Sequence, residues 1–400
     1  MKFSALPPVR RAVPLKRGDA RAGLSMERFF GNRKITLYSS GTAALAQAMA
    51  NCASSVPVDK PEIIIPAYGC PDLVAACLHA SVYPRLVDIA PSHWAYDPAA
   101  LRSSLSPNTV AIVATSLLGL NDSSAELIRV CKERHIRLIQ DSAQYLPRES
   151  VDWPGEYVVL SFGRGKPLNL LHGGALISRL SDKDLRSVRP ARYTTRARLL
   201  SSRAAAMAFN TLTRPGIYRL FSALPGIGLG DVTYKPLTNP ALLPERAWQR
   251  VATAFELYRQ KPSYRRDIWA AGVEEWSELG IVALDCPGLP LPSEPLRLAL
   301  LAPDRSARDT LVDTLNRSGL GASRFYRTDL TKVAGIPETV KNQGPFPNAS
   351  ALADRLFTLP THSLVTPDMV STTRDLVLAW RRSRPAAPSS DLRSRNVPFL

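Results

Sequence analysis

The 400-residue sequence is poor in the residues that build disulfide frameworks and metal centres. Its five cysteines are odd in number and form no C-x-x-C pair. This pattern favours free thiols in a reducing, cytoplasmic setting. The five histidines show no metal-ligand spacing either, so the sequence predicts no metal site.

Long apolar runs are also missing. No stretch approaches the roughly 18–20 apolar residues that cross a bilayer, so no transmembrane helix is predicted. The basic, proline-broken start has no apolar core of the kind that a secretory signal needs, and we expect no signal peptide. With 45% hydrophobic and 21% charged residues, the composition argues against wholesale disorder. A chain of 400 residues suits a two-domain enzyme, or one large domain with a smaller second domain.

Lysine is scarce although positive charge is abundant. The chain has 11 lysines and 40 arginines against 34 acidic residues, for a formal net charge of +17. Arginine binds phosphate and carboxylate groups in a bidentate fork, but an arginine-rich genome would produce the same excess. The charge alone therefore identifies no partner, while the scarcity of lysine makes single lysines easier to assess.

Short apolar strands alternate with helical patterns through the first half of the chain. The predicted strands are 36–40, 62–68, 85–89, 109–117, 137–141 and 157–162. Helical patterns lie between several of them, at 42–54, 72–80 and 124–135. This alternation predicts an α/β fold, a mostly parallel central sheet covered by helices. Ligands bind at the carboxyl ends of such strands, so polar residues there are the candidates.

Changes in composition divide the chain into five segments. They are a basic N-terminal arm (1–34), a large domain (35–185), an arginine-rich amphipathic insertion (186–239), a helix with a small C-terminal α/β domain (240–382) and a disordered tail (383–400). Within the insertion, residues 196–224 alternate arginine with apolar residues. Such a stretch fits an anionic membrane surface, but more often it packs as a dimer element or an active-site lid.

Three polar groups stand at predicted strand ends. Ser40-Gly41-Thr42 precedes a helix, where it fits either an anion site or a simple N-cap. Asp141 ends a buried strand, either paired with a cation or capping a helix. Lys166 lies in a glycine-flanked loop, either as a solvated lysine or as an amine that forms a Schiff base.

Together these groups match the three interactions by which a protein binds pyridoxal 5'-phosphate. A helix N-terminus binds the phosphate, a carboxylate keeps the ring nitrogen protonated, and a lysine binds the cofactor covalently. Lys166, once freed, would also serve as the base that moves the substrate proton. The sequence therefore predicts a pyridoxal-phosphate enzyme.

Short motifs extend this pattern along the chain. They are Ser40–Leu45, Ile63–Tyr68, Val87–Ile89, Asp141–Gln144, Ser161–Lys166, Gly173-Gly174 and Leu359–His362. In their order and spacing they resemble the DegT/DnrJ/EryC1/StrS sugar aminotransferases, a family of fold-type I pyridoxal-phosphate enzymes. The resemblance runs from about Ile35 to Trp380.

The resemblance implies roles for individual residues. Lys166 would be the catalytic lysine, and the cofactor-binding residues would be Ser40, Gly41, Thr42, Tyr68, Asp141, Gln144, Ser161 and Lys166. Among them, Asp141 would hold the ring nitrogen, Gln144 would lie near the ring hydroxyl, and Ser161 would bind the phosphate. Two positions depart from the family: Cys70 stands where an aromatic usually stacks on the ring, and His172 stands in place of a glutamate. Tyr68 is the residue expected to take over the stacking.

The expected function is transfer of an amino group, with glutamate as donor, to a phosphorylated keto sugar, nucleotide-linked, in cell-surface polysaccharide or secondary-metabolite biosynthesis. The resemblance also implies a homodimer. Two alternatives stay open. One is a pyridoxal-phosphate aminotransferase or lyase acting on a non-sugar substrate. The other is a protein with this fold that binds an anionic membrane surface, such as the inner face of the cell membrane, through 196–224. No motif supports nucleic-acid binding.

Overall fold

The computed structural model describes most of the chain. The described residues are 5–7, 11–13, 20–122, 124–179, 192–193, 196–222, 232–244, 246–260, 267–286 and 295–383. Within them, one nine-stranded sheet forms the centre of a large unit, and a three-stranded sheet forms a smaller unit.

The first half of the chain supplies most of the large sheet. Its elements are α1 (Ala20–Phe29), β1 (Lys34–Tyr38), α2 (Gly41–Ser54), β2 (Glu62–Pro66), α3 (Asp72–His79), β3 (Tyr83–Val87), α4 (Pro98–Ser104), β4 (Thr109–Thr115), α5 (Ala125–Glu133), β5 (Arg137–Asp141), β6 (Tyr157–Ser161) and β7 (Gly174–Ser178).

The second half completes this sheet and forms the smaller unit. Its elements are β8 (Arg192–Tyr193), α6 (Arg196–Leu212), α7 (Pro215–Ser222), β9 (Ala241–Leu242), α8 (Arg246–Gln260), α9 (Ala270–Ser277), β10 (Val282–Ala283), β11 (Arg297–Leu301), α10 (Arg305–Arg317), α11 (Glu338–Lys341), α12 (Pro347–Arg355), β12 (Leu356–Pro360) and α13 (Pro367–Arg382).

The large sheet has the strand order β3-β2-β4-β5-β6-β7-β1-β9-β8, and the run from β3 to β6 is parallel. The predicted α/β fold with a mostly parallel sheet is thereby confirmed. Strand β7, which the sequence pattern did not reveal, is antiparallel to both β6 and β1. Its insertion between them brings the start of α2 beside the end of β6.

Burial on both faces explains the composition of the central strands. Every residue of β2 and β4 is buried, and their β-branched runs are typical of strands covered on both sides. Helix α2 lies against the sheet through small residues, among them Ala44 and Ala48. Its first turn is capped by Ser40, whose Oγ accepts a hydrogen bond from the Ala43 N–H at 3.0 Å.

The basic N-terminal arm contains a helix that the sequence pattern did not predict. Helix α1 packs on α8 through an aromatic cluster in which the rings of Phe29 and Phe255 lie 5.0 Å apart. Earlier in the arm, Leu6 is only 2% exposed because it packs into the core of the small unit. The surrounding arginine, proline and glycine residues interrupt the apolar pattern of the sequence, so the sequence alone does not predict these contacts.

The insertion forms two helices within its described part. Helix α6 leaves Met207 and Leu212 60% and 47% exposed, while Asn210 bonds both backbone groups of Ala12, at 2.7 and 2.9 Å. No helix in the described ranges is long and apolar enough to cross a membrane. The predicted tail lies outside the described residues from 384 onward.

The small unit is an antiparallel sheet, β10-β11-β12, packed against α9, α10 and α13. It shares one hydrophobic cluster with the large unit, which includes Ile65 from β2 and Leu301 from β11. A polar contact reinforces this junction. The Asp88 carboxylate accepts hydrogen bonds from the N–H groups of Asn348 and Ala349, at 3.0 and 2.8 Å, in the first turn of α12.

Replacing Asp88 tests this junction. Asp88→Ala removes the acceptor of buried N–H groups, so we expect the free energy of unfolding to fall by about 1–3 kcal/mol in urea denaturation. The control is Asp354→Ala, whose partly exposed carboxylate lies 3.7 Å from Arg305. That variant should stay within about 0.5 kcal/mol of wild type. If both variants lose the same free energy of unfolding, Asp88 does not stabilise the junction between the two units.

Candidate active site

The predicted site residues come from elements whose ends meet at one edge of the large sheet. Ser40 precedes α2, Asp141 ends β5 and Ser161 ends β6. Strand β7 begins beside them, since Ser40 forms a bridge with Gly173. The topology therefore gathers groups that lie more than 100 residues apart in sequence.

Two glycines make this approach possible. A Cβ atom on Gly41 would lie 2.6 Å from Ser161 Cβ, and one on Gly174 would lie 2.5 Å from the Gly41 nitrogen. Real Cβ atoms do not approach other atoms so closely, so any larger residue would push α2 away from the strand ends. The N-terminus of α2 is thereby held against Ser161, where its free N–H groups can face an anion.

Asp141 is a buried carboxylate with a cation nearby. It is 8% exposed, and the Ala143 N–H donates to its Oδ1 at 3.1 Å. Burial raises the pKa of Asp141, while the positive charge of Lys166 acts against that rise. Lys166 is therefore close enough to Asp141 for its charge to act on the carboxylate.

Lys166 is half-buried in the loop between β6 and β7. Its backbone N–H donates to Gly163 O at 3.3 Å, and Gly165 adopts a φ of +72°, which glycine accepts without strain. The same lysine charge favours the thiolate of Cys70, although burial dominates and raises the pKa of that thiol to about 11. Lys166, Asp141 and Cys70 thus share one small region.

Two of the predicted phosphate-binding side chains already have partners. Ser40 Oγ caps α2 as an acceptor, and its O–H can still donate to a bound phosphate. The Thr42 hydroxyl donates to Asp72 Oδ2 at 2.9 Å. Asp72 is a residue that sequence reasoning missed, and its charge raises the pKa of both Asp141 and Cys70. Its position directly after Pro71, at the start of α3, is the signal that would have drawn attention to it.

Both polar atoms of the Gln144 carboxamide are hydrogen-bonded within the protein. Its Oε1 accepts a hydrogen bond from the Leu118 N–H at 2.9 Å, and its Nε2 donates to Tyr326 Oη at 3.3 Å. Tyr326, from the second half of the chain, is the other residue that sequence reasoning missed. It lies in an irregular segment with no periodic pattern, so no sequence signal pointed to it.

Tyr68 lies in the core of the large unit. It is completely buried, and its hydroxyl donates to the backbone oxygen of Tyr326 at 2.9 Å. Its ring packs edge-on against Trp94 and Tyr326. The proposed stacking of Tyr68 on a cofactor stays a prediction, while its observed contacts are those of a core residue.

These groups fit pyridoxal phosphate. A buried carboxylate beside a lysine is costly in the protein alone, since burial disfavours its charge, and a protonated ring nitrogen would supply the missing partner. Gly41 lets the first turn of α2 pack against Ser161, so that the helix N–H groups and the Ser161 hydroxyl can bind one phosphate. Among the described residues, no group of three or more His, Cys, Asp or Glu side chains could hold a metal ion.

A methyl group at Gly41 should disturb the site. Gly41→Ala places a Cβ against Ser161, and we expect about 1–3 kcal/mol of lost unfolding free energy in urea titrations, as for overpacked cores. Gly216→Ala in α7 is the matched control because nothing lies within 4 Å of its added Cβ. Equal stability of the two alanine variants would show that Gly41 is not required for the close packing of α2 against Ser161.

The buried charge of Asp141 predicts a pH effect in the cofactor-free protein. Because the folded-state pKa is raised, the unfolded chain releases this proton at lower pH than the folded chain. Wild-type stability should therefore fall relative to Asp141→Asn as pH rises above about 4. Urea unfolding at a series of pH values from 4 to 8 measures the difference. A variant that is less stable than wild type by the same amount at every pH contradicts this expectation.

Comparison with known proteins bears on the first part of the chain. Residues 24–190 match the sequence model of the DegT/DnrJ/EryC1/StrS aminotransferase family. The protein MosB of Rhizobium meliloti is 29% identical over 161 residues, which cover 38% of this chain and 31% of MosB. An L-glutamine:2-deoxy-scyllo-inosose aminotransferase of Streptoalloteichus tenebrarius is 31% identical over 144 residues, covering 35% of this chain and 33% of that protein. Each match thus spans about a third of the relative's length.

Solved structures show the same fold over nearly the whole chain. The aminotransferase TlmJ from Streptoalloteichus hindustanus has a TM-score of 0.65 and 18% identity, covering 93% of this chain and 92% of TlmJ. A DegT DnrJ EryC1 StrS aminotransferase from Brucella abortus has a TM-score of 0.63 and 16% identity, covering 92% and 91%. The shared fold and the match over residues 24–190 confirm the resemblance to the DegT/DnrJ/EryC1/StrS aminotransferase family.

Proposed function

We propose that the protein is a pyridoxal-phosphate-dependent aminotransferase that aminates a ketone on a sugar or a related cyclic polyol. The observation that carries this proposal is the buried Asp141 beside Lys166, at a sheet edge that also holds the N-terminus of α2. The relatives with aminotransferase names support the reaction type. Glutamine is the amino donor in their names. Glutamine is therefore a candidate donor beside glutamate.

The side chains divide the work between binding and proton transfer. When bound, pyridoxal phosphate supplies an electron-accepting ring that stabilises negative charge at the substrate carbon. Asp141 would hold the proton on the ring nitrogen, and Gln144 would lie near the ring hydroxyl. The first N–H groups of α2, with Ser40 and Ser161, would bind the phosphate. The Lys166 amine would anchor the cofactor and, once free, take a proton from the substrate carbon and return it.

Two classes of ketone are candidates for the compound that accepts the amino group. The names of the relatives favour an inosose, a ketone of a cyclic polyol that carries no phosphate. A phosphorylated, nucleotide-linked keto sugar is the second candidate. It is favoured by a pocket of about 280 Å³ whose lining includes Gly69, Tyr326 and two cationic residues, Arg327 and Lys332. Either product belongs to secondary-metabolite or polysaccharide biosynthesis.

Two further expectations rest on the sequence alone. The homodimer is implied by the family resemblance, and a membrane contact through 196–224 is suggested by the arginine-rich pattern of the insertion. Both stay predictions.

Lys166→Ala tests the reaction type. Purified wild type should show a visible absorption band that borohydride abolishes, because the reagent reduces the bond between lysine and cofactor. Lys166→Ala should remain folded, lose the covalent attachment and fall at least about 100-fold in amino transfer, since it lacks the proton-moving base. Lys341→Ala, at an exposed lysine paired with Glu338, controls for the loss of a lysine. A colourless wild type that does not bind pyridoxal phosphate would contradict the proposal.

The acceptor is tested by direct assay. Each donor, glutamine and glutamate, is combined with scyllo-inosose and with a nucleotide-linked keto sugar, and the aminated product is detected by mass spectrometry. Amination of the inosose alone supports the first class of ketone, and amination of the nucleotide-linked sugar alone supports the second. If neither ketone is aminated by a protein that binds the cofactor, the substrate belongs to another class.

A further inference from the structure

Tyr326 reaches the site from the small unit. Its segment leaves the small sheet at Ser323, whose backbone exchanges hydrogen bonds with Thr358 at 3.0 and 2.8 Å. It reaches the large unit at Leu330, whose N–H donates to Ala67 O at 2.8 Å, just after β2. Between these two anchors the chain carries Tyr326 across to the edge of the large sheet.

The backbone before Tyr326 is strained. Phe325 has a φ of +53°, in the left-handed region that bulky side chains rarely adopt. Its ring centroid lies 4.3 Å from that of Tyr326. Unfavourable backbone geometry of this kind persists where the surrounding contacts require it, and it is frequent at functional sites. The next side chain, Tyr326, is hydrogen-bonded to Gln144.

The hydroxyl of Tyr326 joins two residues of the candidate site. It accepts a hydrogen bond from Gln144 Nε2 at 3.3 Å, and it lies close enough to the Cys70 thiol to act against the burial-driven rise in the pKa of that thiol. The ring lies 5.7 Å from that of Tyr68 in an edge-on arrangement, and the backbone oxygen of Tyr326 accepts the Tyr68 hydroxyl. The ring and the hydroxyl are thus both held in place.

Tyr326 can supply the aromatic surface that Cys70 lacks. A thiol has no aromatic face, and Tyr68 is turned into the core. Tyr326 is an aromatic residue in contact with Cys70, and it also lines the pocket beside Gly69. It therefore stands between that pocket and the Gln144 side chain.

We propose that Tyr326 is a positioning residue of the active site, which supplies from the small unit the aromatic wall that Cys70 does not provide and holds the Gln144 carboxamide toward the cofactor. This inference rests on the proposed function, since it concerns the same site. It assigns the role to a residue some 250 positions from Cys70 in sequence, brought there by the packing of the two units.

The test measures cofactor binding to the full-length protein from which bound cofactor has been removed. Pyridoxal 5'-phosphate is titrated while the visible absorption band is recorded, and the rise in melting temperature at saturation is measured separately. Tyr326→Ala should weaken binding about tenfold, the size expected for one aromatic contact with its buried area. Tyr326→Phe keeps the ring and should stay within about threefold. Tyr83→Ala, at a half-buried tyrosine on β3, is the control for loss of a ring.

A rescue separates a cofactor contact from a merely structural role. In the Tyr326→Ala background, Cys70→Tyr restores an aromatic from the large unit and should recover most of the lost affinity. In the wild-type background the same Cys70→Tyr change should weaken binding, because two rings would compete for one space. If Tyr326→Ala does not fold, Tyr326→Leu, which keeps the apolar volume, takes its place in both measurements.

The outcomes distinguish the two proposals. A wild type that does not bind pyridoxal phosphate overturns the proposed function and this inference together. A wild type that binds the cofactor at Lys166 while Tyr326→Ala binds it equally tightly overturns the inference alone. Weaker binding that Cys70→Tyr fails to restore also overturns the aromatic role. Loss in the alanine variant with recovery in the double variant supports it.

Discussion

The site depends on one electrostatic constraint, a buried carboxylate on which the charge of Lys166 acts. Burial raises the pKa of Asp141, and the charge of Lys166 opposes that rise without cancelling it. Asp141 therefore carries a negative charge only at a cost in free energy, which its neighbours offset in part. A bound group with a protonated ring nitrogen would complete the pairing, so the cost of burying Asp141 becomes selectivity for such a group.

The topology brings these two charges together. Parallel strands place the carboxyl ends of β5 and β6 side by side, and β7 returns antiparallel so that the Lys166 loop stays at the same edge. Gly41 and Gly174 then let the start of α2 approach closely enough to offer its N–H groups. Each contribution depends on backbone geometry more than on any particular side chain.

Sequence reasoning singles out candidate residues only where their signals are local. Asp141 and Lys166 follow apolar strands, and the alternation of strands and helices predicts the α/β fold correctly. It missed α1, whose apolar face is masked by arginine and glycine, and β7, which is short and follows a loop. It also missed Tyr326, since only the packing of the small unit against β2 brings that residue to Gln144. Contacts between distant segments leave no periodic pattern in a sequence.

The central claim is that Lys166 is the residue that binds pyridoxal phosphate covalently. The most direct test is to reduce the cofactor-loaded protein with borohydride, digest it and locate the pyridoxyl group by peptide mass spectrometry. The modification should lie on Lys166, with one group per chain. Modification of a different lysine, or none at all in protein that has been given the cofactor, would contradict it.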